Sequence, residues 1–305
     1  MLSIRPRFIL RIATIAVLLL TIAGLITSWI AAGVLVAPCP SAIGAPPANL
    51  NATAFTLNSE SGSIISGWHT QPEHSNGVIV LLHGIRGSRL SMVERARLLH
   101  NHGYATVLID LQAHGESSGD AITAGHLEKH DVRAAVDFAR HEHPNERIGV
   151  IGVSLGGAAA VLASPLDIDA LAIESVYPNI TDAIHNRVAI KLGPFSSIPA
   201  SLLLIQLKPR LGISPSELCP IDYMPHVDCP VYVASGTADR HTTSTESREM
   251  FAAAEEPKDL WLVNDAGHVD LFRRDPIEYT KRIVGFFAHH LRPRGGFTSE
   301  PTNDL

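Results

Sequence analysis

The stretch "VIGVSLGGAAAV", Val150–Val161, decides the reading of this chain. A β-branched apolar run enters Gly152-x-Ser154-x-Gly156 and leaves as a string of small apolar residues, the pattern of a buried strand turning sharply into a helix. Such a turn either lifts the Ser154 hydroxyl clear of the backbone as a nucleophile or passes a small residue through a tight corner. A pentapeptide of this kind arises by chance in a chain rich in glycine and serine, so the flanking pattern has to decide.

Outward from it, eight short apolar runs alternate with helical patterns: "AFTLNS", "SIISGWHT", "GVIVLLHG", "ATVLIDL", "RIGVIGVS", "DALAIESV", "PVYVASGT" and "DLWLVND". The first two alternate in polarity, as half-buried antiparallel edge strands do; the later ones are continuous, as in strands covered on both faces. Between them, "SRLSMVERARLLHNHG" and "GHLEKHDVRAAVDFARHEH" repeat apolar residues at three- and four-residue spacing. The alternation predicts an α/β domain over 52–292, an eight-stranded, mostly parallel sheet with helices on both faces. Residues 177–228 break the rhythm with many prolines and two apolar helical stretches, and are read as a helical cap insertion rather than a crossover.

In doubly wound sheets ligands bind at the carboxyl ends of the strands, and a serine nucleophile needs a base that is itself oriented by an acid. Sixteen histidines make any one a weak candidate. His268, in "VNDAGHVDLF", follows the last strand, with Gly267 permitting a turn. Asp239, in "YVASGTADR", follows the strand before it. The order Ser154, Asp239, His268, together with "LLHGIRGSR", "DLQAHGESSGD", "GVSLGG" and "GTADR", resembles the α/β-hydrolase superfamily over roughly residues 52 to 291. More narrowly it is similar to an anchored, esterase-like branch related to Bem-type and serine-aminopeptidase-like hydrolases.

That resemblance implies a serine hydrolase acting on carboxylic esters or thioesters through an acyl-enzyme, with the backbone N–H groups of Ile85 and Leu155 forming the oxyanion hole. A non-catalytic binding protein on the same fold, or an acyltransferase with the same triad, is the alternative. His83 and His114 each precede a glycine in a turn, and the resemblance gives both an architectural role. Asp110 is expected to tie its loop together. Glu174, at the end of the sixth run, is the competing position for the acid.

Composition narrows the partners. A net charge of −6 and no basic run in the body argue against a nucleic-acid partner. No zinc-like spacing occurs; "HEHP", His141 to Pro144, has the letters without the geometry, and neither metal nor cofactor is called for. The expected substrate is a small or lipid-like acyl compound, and Ile198, Leu202, Leu203, Leu204 and Ile205 of the cap are candidates to line an acyl pocket or to be plain core. Cys219 and Cys229 are either bonded or two free apolar residues. Asn51-Ala-Thr53 and Asn179-Ile-Thr181 match the glycosylation pattern, which matters only in a eukaryotic secretory pathway.

Residues 1–11 carry Arg5, Arg7 and Arg11 ahead of an uncharged apolar run, Ile12 to Ala37. The run is longer than the ~30 Å hydrocarbon layer requires, and longer than the ~7 to 15 residues of a signal-peptide core. It predicts an uncleaved, single-pass membrane anchor over 12–37. No basic residue follows it until Arg86, so the N-terminus is expected in the cytoplasm and the body outside it. Residues 38–51 read as an extended linker and 293–305 as a flexible tail. Since the body can bury its own core, a chain starting near Pro46 is expected to be soluble and active.

Overall fold

The strands are β1 (Ala52–Asn58), β2 (Ile64–Thr70), β3 (Val78–Leu82), β4 (Ala105–Ile109), β5 (Ile148–Val153), β6 (Ala170–Glu174), β7 (Val231–Gly236) and β8 (Lys258–Val263). In this computed structural model, which describes residues 6–291, they form one sheet in the order β8-β7-β6-β5-β3-β4-β2-β1. Arg5 and the tail expected at 293–305 lie outside the described residues. Only β1 with β2 and β2 with β4 pair antiparallel. The β1 strand alternates in exposure, whereas every residue of β3, β4 and β6 is buried, which is why the sequence shows alternation in one and unbroken apolar runs in the others.

Because successive side chains point to opposite faces, each central strand feeds two cores. Val80, Leu82 and Val150 pack with helices α3 (Glu128–Glu142) and α4 (Leu155–Leu162). Ile79, Leu81 and Ile151 pack with α2 (Val93–Asn101) and the C-terminal Tyr279, Ile283 and Phe287. The register sets Leu82 beside Gly152, Gly152 beside Ile173 and Ile173 beside Val233. The carboxyl ends of β3, β5, β6 and β7 therefore finish along one edge, where the loops carrying the candidate residues emerge.

Over that edge lies the cap: α5 (Ile180–Leu192), α6 (Ser197–Leu204) and α7 (Leu207–Leu211). Asn179 starts α5, its Oδ1 accepting the Asp182 N–H at 2.9 Å. The second apolar stretch, read from sequence as one helix, is broken at Ile205 and Gln206. Pro209 explains the break, since it has no N–H for the Ile205 carbonyl and its ring would crowd that oxygen.

The N-terminal helix α1 (Pro6–Val36) includes an apolar span at Leu10–Val36, long enough to cross a membrane. Its last turns are fastened to the body. Gln206 Nε2 donates to Ser28 Oγ at 2.8 Å, and the Arg210 guanidinium stacks 3.7 Å over the Trp29 ring and bonds the Trp29 carbonyl. Arg86 bonds the Val34 carbonyl, and the Ile122 N–H donates to the Val36 carbonyl at 2.8 Å. The following segment is extended, but it is laid on the body: Cys39–Pro40 pairs in parallel with His114–Gly115, the Gly44 N–H donates to Glu116 Oε1 at 2.8 Å, and Leu50 is buried.

Candidate active site

Ser154 sits at φ 49°, ψ −109°, between the last residue of β5 and the first of α4. A non-glycine residue there stores about 1–3 kcal/mol of backbone strain, which its surroundings must hold. They do so through the Ser154 N–H, which donates to the Glu174 carbonyl at 2.8 Å, and through three glycines. A Cβ on Gly152 would come within 2.5 Å of Gly157 Cα, one on Gly156 within 2.6 Å of the Leu82 carbonyl oxygen, and one on Gly157 within 2.3 Å of Val176 Cγ2. Glycine lets α4 begin pressed against β3 and β5, and the geometry is that of the sharp strand-to-helix turn.

Two strands along, Asp239 follows β7 and His268 follows β8. The His268 Nδ1 and Asp239 Oδ2 are 2.8 Å apart, and Asp239 Oδ1 accepts the N–H groups of His241 at 2.8 Å and Thr242 at 3.0 Å. Burial alone would raise the Asp239 pKa; the hydrogen bond and charge of His268 with the two amides outweigh it and hold the carboxyl below its ordinary value. A carboxylate on Nδ1 fixes the proton there and leaves Nε2 as the acceptor. The Thr242 hydroxyl donates to the Ser175 carbonyl at 3.2 Å, tying this loop to the end of β6. No hydrogen bond joins Ser154 Oγ to His268 among the described residues; in unliganded sites this contact is often long.

The loop after β3 carries Gly84 and Ile85 past the serine, and Ile85 and Leu155 line the same pocket as Ser154. Both ring nitrogens of His83 are engaged, Nδ1 donating to the Gly84 carbonyl at 2.7 Å and Nε2 accepting the Leu111 N–H at 3.0 Å. Burial pushes its pKa down to about 3. A neutral ring so committed shapes the loop and is not available as a base. His114 is likewise buried, its Nδ1 bonded to the Gln112 carbonyl at 2.9 Å and its pKa lowered by burial. Asp110 accepts the backbone N–H groups of Arg89 at 2.6 Å and Glu116 at 2.9 Å, tying its loop together.

Glu174 is placed elsewhere. Its side chain is buried against Arg95 at 2.7 Å and the Tyr279 hydroxyl at 2.5 Å, with no bond to His268 among the described residues. Asp270 completes the cluster at 2.8 Å from Arg95. Sequence reasoning found neither this network nor His241, whose ring centroid is 5.0 Å from that of His268.

The pocket beside Ser154 has a volume of about 270 Å³ and mostly apolar walls. Leu203, Leu207 and Leu211 of the cap form one side, Tyr177, Ile180 and Ile184 another, and Ala32, Leu35 and Val36 of α1 a third. Among the described residues, three arginines, Arg86, Arg187 and Arg210, and no carboxylate line it. Of the five cap residues singled out from sequence only Leu203 lines it; Ile198 and Ile205 are 74% and 67% exposed, on the outside of the cap. Cys39, Cys219 and Cys229 are free thiols, with no disulfide between the latter two. The contribution of α1 was not legible in the sequence, where it reads only as an apolar span.

Comparison with known proteins agrees with this architecture. The family described as serine aminopeptidase, S33, matches residues 73–179. The chain is 23% identical over 240 residues to the uncharacterised protein YqkD of Bacillus subtilis, covering 77% of this chain and 78% of that one. It is 25% identical over 263 residues to the uncharacterised protein YfhR of Escherichia coli K12, covering 82% and 85%. Among solved structures, a Pyrococcus furiosus esterase, Pf2001, superposes with a TM-score of 0.71 at 23% identity, covering 84% of this chain and 98% of that one.

Proposed function

Taking the chain as a member of the α/β-hydrolase superfamily, we propose that it is a membrane-anchored serine hydrolase that cleaves carboxylic esters or thioesters through Ser154, His268 and Asp239. The observation that carries this reading is the Asp239–His268 hydrogen bond, made at the same sheet edge as a serine held in a strained elbow beside an apolar pocket. The fold shared with an esterase supports it.

In this reading each step falls to a named group. Ser154 Oγ attacks the acyl carbonyl carbon as its proton passes to His268 Nε2, and Asp239 stabilises the imidazolium through Nδ1–H. The negative oxygen is taken by the N–H groups of Ile85 and Leu155, each such donor contributing roughly 3 kcal/mol to the transition state. Leu155 also opens α4, so the positive end of the helix dipole lies under the developing charge. Collapse transfers the proton from Nε2 to the leaving alcohol or thiol. Water then attacks the Ser154 ester with His268 again as base, releasing the acid and restoring the hydroxyl.

The span Leu10–Val36 holds the enzyme in the membrane, with Arg5 and Arg7 before it and Arg11 at its start on the cytoplasmic side and the body outside. The test is covalent labelling of the full chain by a fluorophosphonate. Labelling and hydrolysis of p-nitrophenyl butyrate are expected in the wild type and neither in Ser154→Ala. Labelling that persists at another serine in the variant overturns the assignment.

A further inference from the structure

At about 1.5 Å per residue, the 27-residue span Leu10–Val36 is about 40 Å long, whereas a hydrocarbon layer of about 30 Å takes up about 20 residues. About two turns are left over. They are the turns that meet the body, and Ala32, Leu35 and Val36 within them are walls of the pocket beside Ser154. Trp29, capped by Arg210, stands one turn earlier, the pairing of aromatic ring and cation that settles at a membrane interface. With Trp29 at the interface, the pocket wall formed by residues 32–36 lies within about 10 Å of the hydrocarbon.

The cap makes the same approach. Its outer side presents Leu192, Phe195, Ile198 and Ile205, with Phe195 82% exposed, on and around the helix that packs against α1. Large apolar side chains gathered in this way are costly in water and favourable against a bilayer. The spanning helix packs against α6, which carries Ile198 and is flanked in the chain by Phe195 and Ile205, so a bilayer around the helix is the occupant that reaches both, the outer part of the lipid leaflet.

We propose that the C-terminal end of α1 is a wall of the acyl-binding pocket and that the pocket is loaded from the adjoining leaflet, so that the substrate is the ester of a membrane-resident lipid. This rests on the serine-hydrolase reading and on the anchor proposed above. The helix is then a specificity element as well as a tether: changing side chains on its pocket face changes which acyl chains are accepted. A chain starting near Pro46 would keep the candidate triad and lose this wall.

The full chain reconstituted in phosphatidylcholine vesicles provides the test. The readout is the ratio of kcat/KM for p-nitrophenyl palmitate, dissolved in the bilayer, to that for p-nitrophenyl butyrate. Ala32→Phe and Leu35→Trp, which fill the pocket from the helix side, are expected to lower this ratio at least tenfold. Leu20→Trp, on the same helix far from the pocket, is expected to leave it unchanged. Independently of turnover, a phosphatidylcholine with a diazirine in its acyl chain is expected to cross-link wild-type protein at residues 32–36 and in α6 and α7. An unaltered ratio in both pocket variants, or cross-links confined to residues 10–29, overturns the proposal. Absence of fluorophosphonate labelling at Ser154 in the wild type would instead remove the hydrolase reading, and the cross-linking pattern would still decide whether lipid enters the pocket.

Discussion

Asp239 reaches His268 through one oxygen, Oδ2 to Nδ1 at 2.8 Å, while its other oxygen is held by the backbone N–H groups of His241 and Thr242. The carboxylate is thus fixed from its own loop and cannot turn away from the ring. Asp239→Asn would present an amide to Nδ1 and favour the wrong imidazole tautomer. A fall in kcat of about 10⁴ with little change in KM is expected, and a similar or larger fall for His268→Ala. Adding Ser154→Ala to either should cost little more, because the three groups act as one unit. Steady-state kinetics on p-nitrophenyl butyrate would check this; a strongly raised KM at unchanged kcat would place Asp239 in binding instead.

Glu174 gives the complementary expectation. Its carboxylate balances the buried Arg95, so Glu174→Gln leaves a cation with less compensation and should lower stability by about 3 kcal/mol. Its backbone carbonyl, which holds the Ser154 N–H, is unchanged by the substitution. Thermal melts should show the loss, while kcat per labelled site stays within a few-fold of wild type. A kcat loss exceeding that of Asp239→Asn would mean that the acid has been misassigned.

The elbow should tolerate no side chain at Gly157. A methyl there meets Val176 Cγ2 at 2.3 Å and the Gly152 carbonyl oxygen at 2.6 Å, and one of these is backbone. Gly157→Ala is expected to destabilise the fold by at least 1–3 kcal/mol through overpacking and to abolish fluorophosphonate labelling. Gly285, with open space around its missing Cβ, is the control, and Gly285→Ala should label normally.

The sheet was legible because burial on both faces demands unbroken β-branched runs, and each of the eight strands falls within two residues of its run. The site was legible in part, since strand ends restrict where Ser154, Asp239 and His268 can stand. What could not be read are contacts between ordinary residues far apart in the chain: Ser28 with Gln206, Trp29 with Arg210, Val36 with Ile122. None carries a periodicity or motif of its own. An apolar helix that spans and one that also walls a pocket have the same composition, and only packing distinguishes Leu35 from Leu20. The break between α6 and α7 was visible as Pro209, but apolar spacing on both sides of it masked the interruption.

Asp131 links the fold to pH. It is buried, with its oxygens accepting the Ser59 hydroxyl at 2.6 Å, the Ser61 hydroxyl at 2.9 Å and the Gln112 N–H at 2.8 Å. Burial outweighs these bonds and raises its pKa to about 7. The folded state therefore binds the proton more tightly than the unfolded chain, whose aspartate titrates near pH 3.9. From about pH 4 to about pH 7 this group makes stability fall as pH rises, by up to about 1.4 kcal/mol per pH unit. Asp131→Asn keeps an acceptor for the Gln112 N–H and donors for the serines while removing the titration. Denaturant midpoints between pH 5 and pH 7 should thus decline less in the variant than in wild type, and parallel declines would rule the assignment out.

The last expectation concerns the side of the membrane. Arg7 and Arg11 stand at the start of α1, while Arg86 and Arg210, two of the cations near its other end, bond its own carbonyls as parts of the folded body. Along the chain no lysine or arginine follows Arg11 until Arg86, so the basic charge adjoining the span in sequence lies at its N-terminal side, which favours a cytoplasmic N-terminus and an external body. Protease added to intact cells or spheroplasts should remove the body while leaving a cytoplasmic marker intact, and alkaline carbonate should not extract the full chain. If the body resists protease until the membrane is breached, and a reporter that works only in the cytoplasm stays active when fused to the C-terminus, the orientation is reversed. The lipid proposed to fill the pocket would then come from the inner leaflet.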